Sequence, residues 1–433
     1  MADHYNVLIL GAGAAGLNAA HELALAGKRV AIIEARDRVG GRVLTVQDGG
    51  ARELGAEFIH GEGLLTKELL RRSGNGSAPS AGKIYRQHDG RLEATWTFID
   101  REDELRERLK KVSVDLPLAQ FFERYLKGTQ WNDTKVQVRR YAEGYYAAST
   151  DAASTMAFRR ELEEADHEDD QRPFTGYGPL LEYLAQTCRD AGVQIYLEEK
   201  ATAIEWTPGS VTVLTERRSF QGNQLVFTLP IGVWRSGAVR FIPALPEKER
   251  AVQQLGYGAV VKIVLAFSVR FWEDASLCRN TAADLGFLFS EAPIPTWWTG
   301  AAEQGNLLTG WKAGPSAERL AGYSEGQLLS EAVHSLGQIF GIDEEALRAL
   351  LRGHYFHNWQ QDPYTQGGYS YEVVSGSRLV ADAAAPVAGT LYFAGEGLCD
   401  GPIIGTVEAA LQTGKSAADE ILDRVPPDGY IED

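Results

Sequence analysis

The segment that most constrains this chain is Asn6–Glu34. Asn6–Leu10 (NVLIL) is a short apolar run rich in β-branched residues, the pattern of a parallel strand buried on both faces. It runs straight into Gly11-Ala12-Gly13-Ala14-Ala15-Gly16. Good helix formers follow through Ala26, and Gly27 supplies a stop. Arg29–Glu34 (RVAIIE) reads as a second strand, ending on an acidic residue about 20 positions beyond the glycines. A lone GxGxxG carries little weight. Strand, glycine turn, helix, strand and terminal Glu34 in register make the full dinucleotide fingerprint. Gly11 permits the tight turn, Gly13 lets the backbone approach a pyrophosphate, and Gly16 lets the helix pack on the strand. The helix N-terminus then presents unpaired N–H groups to the phosphates. Glu34 is placed to accept from a ribose hydroxyl, and its charge disfavours a 2′-phosphate.

The next residues separate two dinucleotides. After Glu34 come Ala35-Arg36-Asp37-Arg38-Val39-Gly40-Gly41-Arg42. Paired glycines followed by an arginine let a second loop fold back over the same pyrophosphate, with Arg42 as a charge-assisted donor. An NAD-binding unit has no need of this loop, so the pair points to FAD.

Composition narrows the class further. The chain has 433 residues, with 43 Lys+Arg against 59 Asp+Glu, a formal charge of −16. That length exceeds a single core of roughly 250–300 residues, so two domains or interleaved lobes are expected. The acidic balance argues against nucleic acid, whose phosphates need clustered cations, and is compatible with a cationic substrate. Three scattered cysteines, Cys188, Cys278 and Cys399, allow neither a disulfide framework nor a paired-cysteine metal motif. The start, MADHYNVLIL, has no basic region or long apolar stretch, and no run approaches a membrane span. A reducing cytoplasm is the expected compartment.

Later motifs repeat, in order, those of the flavin-dependent amine oxidase superfamily, which includes monoamine oxidases, polyamine oxidases and histone lysine demethylases. Glu53-Leu54-Gly55-Ala56-Glu57-Phe58-Ile59-His60-Gly61 resembles the segment beside the isoalloxazine, in a form closest to polyamine oxidases. Phe174–Leu181 resembles the turn opening the helix before the adenine-side strand. Thr228-Leu229-Pro230 resembles a return strand, and Trp359 to Tyr371 resembles "W…DPY…GSYSY". Leu391–Glu396 and Gly405–Ala410 resemble the segments that close the flavin site. The resemblance implies an FAD-binding unit built from residues 1–72, 173–245 and 380–433. A mixed sheet-and-helix substrate unit would come from 73–172 and 246–379. The expected class is thus a Rossmann-like α/β domain with an α+β partner. Dense charge and helical spacing over 64–172, as in 101–112 and 116–126, fit a helical substrate lobe. Glu161–Asp170 reads as a solvated loop, and Pro426–Asp433 as a frayed tail.

The resemblance also assigns roles. Gly11, Gly13, Ala14, Ala15, Gly16, Glu34, Ala35, Arg36, Gly40, Gly41, Arg42, Leu54, Gly55, Ala56, Glu57, Ala201, Thr228, Pro230, Trp359, Gly395, Glu396, Thr406, Val407 and Ala410 would surround FAD. Glu396 would hold the ribitol, and the Val407 N–H would face flavin N1 at a helix N-terminus. One lysine in the apolar run Tyr257–Phe267 is costly unless it lines a wet cavity; Lys262 matches the family's lysine that holds a water near flavin N5. Trp359 and Tyr369 match its aromatic walls. In this family a neutral amine loses hydride from its α-carbon to the flavin, and the imine hydrolyses. Oxygen is the expected electron acceptor, with release of hydrogen peroxide.

Two departures and one segment bear on substrate. No cysteine stands in Gly367-Gly368-Tyr369, where monoamine oxidases attach flavin covalently, so non-covalent FAD is expected. Thr406 replaces their second wall tyrosine, which opens the cavity. Glu57 and His60 skirt the flavin, and Glu57 could pair with the distal ammonium of a polyamine; alternatively Glu57 is a structural acceptor and His60 a satisfied core histidine. The first functional reading is a polyamine oxidase. The alternatives are an oxidase of a bulky monoamine or amino-acid-derived metabolite, and a peptide-directed flavoprotein. The oligomeric state stays open.

Overall fold

The computed structural model describes residues 4–95, 98–164, 170–300 and 305–423. The opening apolar run forms strand His4–Leu10, then helix Ala14–Leu25 and strand Val30–Ile33. The strands pair in parallel, Val7 opposite Val30. On its other side His4–Leu10 pairs in parallel with Ser219–Phe227, Val7 opposite Gln224. The sheet runs Arg240–Ile242, Ala201–Thr207, Ser210–Thr215, Ser219–Phe227, His4–Leu10, Val30–Ile33, Gln194–Tyr196. Leu391–Phe393 joins it beside the end of Ser219–Phe227, Leu225 opposite Leu391. Three consecutive buried apolar residues, Leu391, Tyr392 and Phe393, suit that central position.

Helices Gly178–Asp190 and Val407–Ile421 flank Ala14–Leu25. A Cβ at Gly414 would lie 2.2 Å from the Ala15 carbonyl oxygen, so only glycine permits this approach. Asn18 Nδ2 spans the same contact to the Leu411 carbonyl at 2.8 Å. The last helix is thereby fixed against the first.

A second sheet runs Leu351–Asn358, Val260–Phe267, Leu307–Ala313, Thr296–Thr299, Leu285–Phe289, Lys83–His88, Arg91–Thr95. Its apolar face packs on Glu325–Phe340, a helix opened by a Ser324/Gln327 capping box. Lys262 lies at the centre, opposite Trp311 on one side and His357 on the other.

Three local expectations are corrected. The stretch 64–172 is not helical throughout: Lys83–His88 and Arg91–Thr95 form a hairpin across Asp89-Gly90, both at positive φ. An Asp-Gly pair between strands is a direct hairpin signal; the charged, weakly apolar flanks obscured it. Glu161 opens no loop, because helix Thr155–Glu164 continues through it; residues 165–169 of that run lie outside the described residues. Thr228–Pro230 is not a strand, since Ser219–Phe227 ends before it and helix Ile231–Arg235 follows. Helices Glu102–Leu109 and Leu118–Tyr125 form where the spacing placed them. Pro426–Asp433 lies outside the described residues. Among the described residues no helix is long and apolar enough to cross a membrane.

Candidate active site

A cavity of about 1780 Å³ opens between the two sheets and reaches the N-termini of Ala14–Leu25 and Val407–Ile421. Its cradle follows from glycine. Gly11 has φ +107°, and a Cβ on Gly16 would sit 2.0 Å from the Gly11 carbonyl oxygen. At Gly13 and Gly395 an added Cβ would meet nothing within 4 Å; both border open cavity. Gly41, at φ +57°, brings the second glycine loop over the first, its Cβ position 3.4 Å from Gly13 Cα. Two backbone cradles, helix N-termini and a terminal acidic residue fit a dinucleotide.

Almost every residue expected around FAD lines this cavity, including Ala35, Gly55, Ala56, Ala201, Thr228, Pro230, Val407 and Ala410. Gly16 and Leu54 do not. Gly16 supplies the helix–strand contact, and Leu54 acts from behind by accepting Trp359 Nε1–H at 2.9 Å. Glu34 takes N–H groups from Ala12 and Arg36, each at 2.8 Å, and burial pushes its carboxyl above the usual range. Arg42 and Glu396, expected as separate ligands, pair with each other; Arg42 also donates to the Gly368 carbonyl at 2.9 Å. Glu396 further accepts from Ser370 N and Oγ, both at 3.2 Å.

The inner wall is aromatic. Tyr369 lies 6.3 Å from Trp311 with ring planes 24° apart, and its hydroxyl donates to the Tyr145 carbonyl at 2.5 Å. Trp359 packs on His357, ring centroids 3.9 Å apart. Thr406, expected where monoamine oxidases have a second wall tyrosine, lines the cavity and also caps Val407–Ile421. Its Oγ1 donates to the Ile403 carbonyl at 2.6 Å and accepts Ala409 N–H at 3.1 Å.

Lys262 is 1% exposed, yet its Nζ reaches the cavity wall. It donates to Glu57 Oε2 at 2.7 Å and to the Gly55 carbonyl at 3.0 Å. Glu57 Oε1 accepts Trp298 Nε1–H at 3.0 Å and lies 3.1 Å from Arg172 Nε. Burial works to raise the Glu57 carboxyl, but Lys262 and Arg172 outweigh it and hold it below the usual carboxylate range. Glu57, expected beside the flavin either as a partner for a substrate ammonium or as a structural acceptor, thus sits at the centre of an internal charge cluster. His60 Nδ1 pairs with Asp170 Oδ1 at 2.8 Å; burial opposes protonation, but Asp170 raises the imidazole above its ordinary value.

Sequence reasoning passed over Trp298, Trp311, Arg172, Asp170 and Asp362. The two tryptophans lie on adjacent strands, Trp298 opposite Thr309, and neither strand signals what its far neighbour is. Asp362 accepts from Arg36 at 2.7 Å and from His357 at 3.0 Å, and stands in the "DPY" motif, the one available hint.

Comparisons with known proteins agree with this geometry. The chain is 28% identical to polyamine oxidase 4 of Oryza sativa, over 97% of this chain and 89% of that protein. It is 25% identical to human lysine-specific histone demethylase 2, over 91% of this chain but 51% of that longer protein. Putrescine oxidase bound to putrescine superposes with a TM-score of 0.77 at 20% identity, covering 98% and 100% of the two chains. Cyclohexylamine oxidase from Brevibacterium oxydans gives 0.78 at 20% identity, covering 97% and 100%. The model of "flavin containing amine oxidoreductase" matches residues 14–422. With that match running from the phosphate cradle to the end of the last helix, the chain belongs to the flavin-containing amine oxidoreductases, with FAD as its cofactor.

Proposed function

We infer that the chain oxidises a polyamine or similar multiply charged amine, releasing an imine that hydrolyses, with oxygen as electron acceptor. The flavin, when bound, supplies the hydride acceptor. The protein's own groups do the rest. Tyr369, Trp311 and Trp359 enclose the reacting carbon and exclude water, which favours the neutral amine that must react. Gly13, Gly41 and the first turn of Val407–Ile421 would hold the cofactor, and Lys262 presents an N–H donor at the cavity wall.

The observation that carries the substrate class is the outer wall. Glu161, Asp170, Glu143 and Asp133 face the cavity, Asp170 beside His60 and Glu161 accepting from the Tyr141 hydroxyl at 3.3 Å, while Arg86 pairs with Asp100 at 2.8 Å and Arg140 with Glu291 at 2.8 Å. Burial raises the Tyr141, Tyr145 and Tyr146 hydroxyls well above their ordinary value, and Glu161 adds to each shift. Negative potential beside aromatic faces suits an extended cation. Relatives named polyamine oxidase and putrescine oxidase support the same reading. A bulky monoamine is the second reading, favoured by Phe98 and Val136, which line the same cavity yet stay 40% and 41% exposed.

A peroxide-coupled screen of spermidine, spermine, putrescine, benzylamine, cyclohexylamine and L-amino acids tests this. Highest kcat/KM is expected on a polyamine. Turnover confined to L-amino acids would end the proposal, and turnover only with an artificial acceptor would remove oxygen from it. Among the described residues no cysteine lines the cavity, which supports dissociable FAD. Denaturation should release the yellow chromophore into the supernatant; colour retained by the precipitated chain would refute this.

A further inference from the structure

Among the described residues Glu57 is the one buried carboxylate of the inner cavity wall with two cations and an indole N–H on it at once. Its two oxygens offer about four acceptor positions. Lys262 Nζ at 2.7 Å, Trp298 Nε1 at 3.0 Å and Arg172 Nε at 3.1 Å occupy the approaches. The Arg172 contact is one of charge, since its Nε and Nη2 have no aligned hydrogen-bond acceptor. One anion between two cations leaves the cluster positive by one. The carboxyl behind it, Glu53, is pushed up to about 7 by burial, so at neutral pH it offsets only about half of that charge. A substrate ammonium arriving here would meet excess positive charge, so this is a poor seat for a distal amine.

Lys262, by contrast, needs such a partner. Its stem emerges from the middle of the fully buried stretch Val260–Leu265, and a lysine side chain has many rotamers to lose when its tip is held. Gly55 and Glu57, two residues apart on a different segment, take two of its three N–H donors. Two acceptors fix the tip, and the third donor remains for the cavity. The geometry points to Glu57 as a positioning residue for Lys262, acting through the chain Trp298–Glu57–Lys262, and not as a ligand of the substrate. This rests on the amine-oxidase reading but not on which amine is used.

The test combines E57Q, K262M, W298F and the E57Q/K262M double variant. With FAD-loaded protein, E57Q should lower kcat by about tenfold or more. The factor should be the same for a monoamine and a polyamine, with KM little changed. In the K262M background the same substitution should change kcat by less than about threefold, because the two residues act as one unit. W298F should reproduce a smaller fall, equal for both amines, and covers the case in which E57Q does not fold. A readout free of turnover is thermal unfolding of the FAD-free chain. E57Q should lower the midpoint by several degrees, and adding K262M should recover part of that loss, because one unpaired buried cation is removed.

A KM rise confined to the polyamine, with kcat unchanged, would show Glu57 binding substrate and overturn the assignment. So would full activity of E57Q, or independent, multiplicative effects of E57Q and K262M. If the parent oxidises only monoamines, the substrate reading fails, while the double-variant comparison on any one amine still decides the role of Glu57.

Discussion

Gly13 and Gly16 stand three residues apart in one turn and are glycine for different reasons. A methyl at Gly16 would collide with the Gly11 carbonyl at 2.0 Å, whereas at Gly13 it would project into open cavity. G16A is therefore expected to cost about 3 kcal/mol or more of stability. G13A should unfold within about 0.5 kcal/mol of the parent when free of FAD. Its FAD dissociation constant should nonetheless rise at least about tenfold, one such factor being 1.4 kcal/mol. Urea titrations and flavin-fluorescence binding check the pair; a G13A that binds FAD normally would move the pyrophosphate elsewhere. Glu53 supplies a second test at this scale. It accepts Tyr177 N–H at 2.6 Å and Thr45 Oγ1 at 2.9 Å, while burial pushes its carboxyl up to about 7 from an ordinary value of 4.5. The folded chain then keeps a proton that the unfolded chain releases between these values. Its stabilising contribution is full below pH 4.5 and is lost as pH rises through 7, on the order of 3 kcal/mol at 1.36 kcal/mol per unit. Unfolding free energies at pH 4.5, 6 and 8 should show that slope in the parent and lack it in E53Q.

Elements are joined at their ends. Helix Leu64–Arg72 begins after Gly63 with no side-chain cap of its own. Glu408, in the first turn of Val407–Ile421, supplies it by accepting Leu65 N–H and Thr66 N–H at 2.9 Å and Thr66 Oγ1–H at 2.8 Å. E408A leaves three donors unmatched and should cost about 2 kcal/mol by urea unfolding. Thr406 caps the helix that carries Glu408, so T406V should cost about 1 kcal/mol and leave kcat near the parent value. A large fall in kcat with stability intact would return Thr406 to the chemistry. Both caps lie at the N-terminal end of the last helix, where Glu408 ties it to Leu64–Arg72 across 342 positions of sequence.

The whole molecule carries a charge of −16, and the cavity's outer wall concentrates part of it. Encounter with a multiply charged amine should be steered by that field, and salt should screen it over about 8–10 Å. Raising ionic strength from 50 to 500 mM is expected to lower kcat/KM more steeply for spermidine than for benzylamine. Parallel slopes for the two would mean that the acidic wall plays no part in capture.

Much of this was legible before any coordinates. The βαβ fingerprint, the second glycine loop and the buried strand around Lys262 are patterns of neighbouring residues, and the backbone obeys neighbours: apolar runs make buried strands and glycine admits turns no other residue can. The sequence by itself therefore determined the cofactor cradle, the family and the part of the cavity's lining that those motifs carry. Only the tertiary structure decided who partners whom. Arg42 and Glu396 are 354 positions apart in the chain and neutralise each other; Lys262 and Arg172 converge on Glu57 from separate segments; Asp170 reaches His60. A side chain's type announces the charge it carries, but its role depends on which opposite charge folding brings within about 3 Å, and in a low-dielectric interior that pairing outweighs any preference written along the chain.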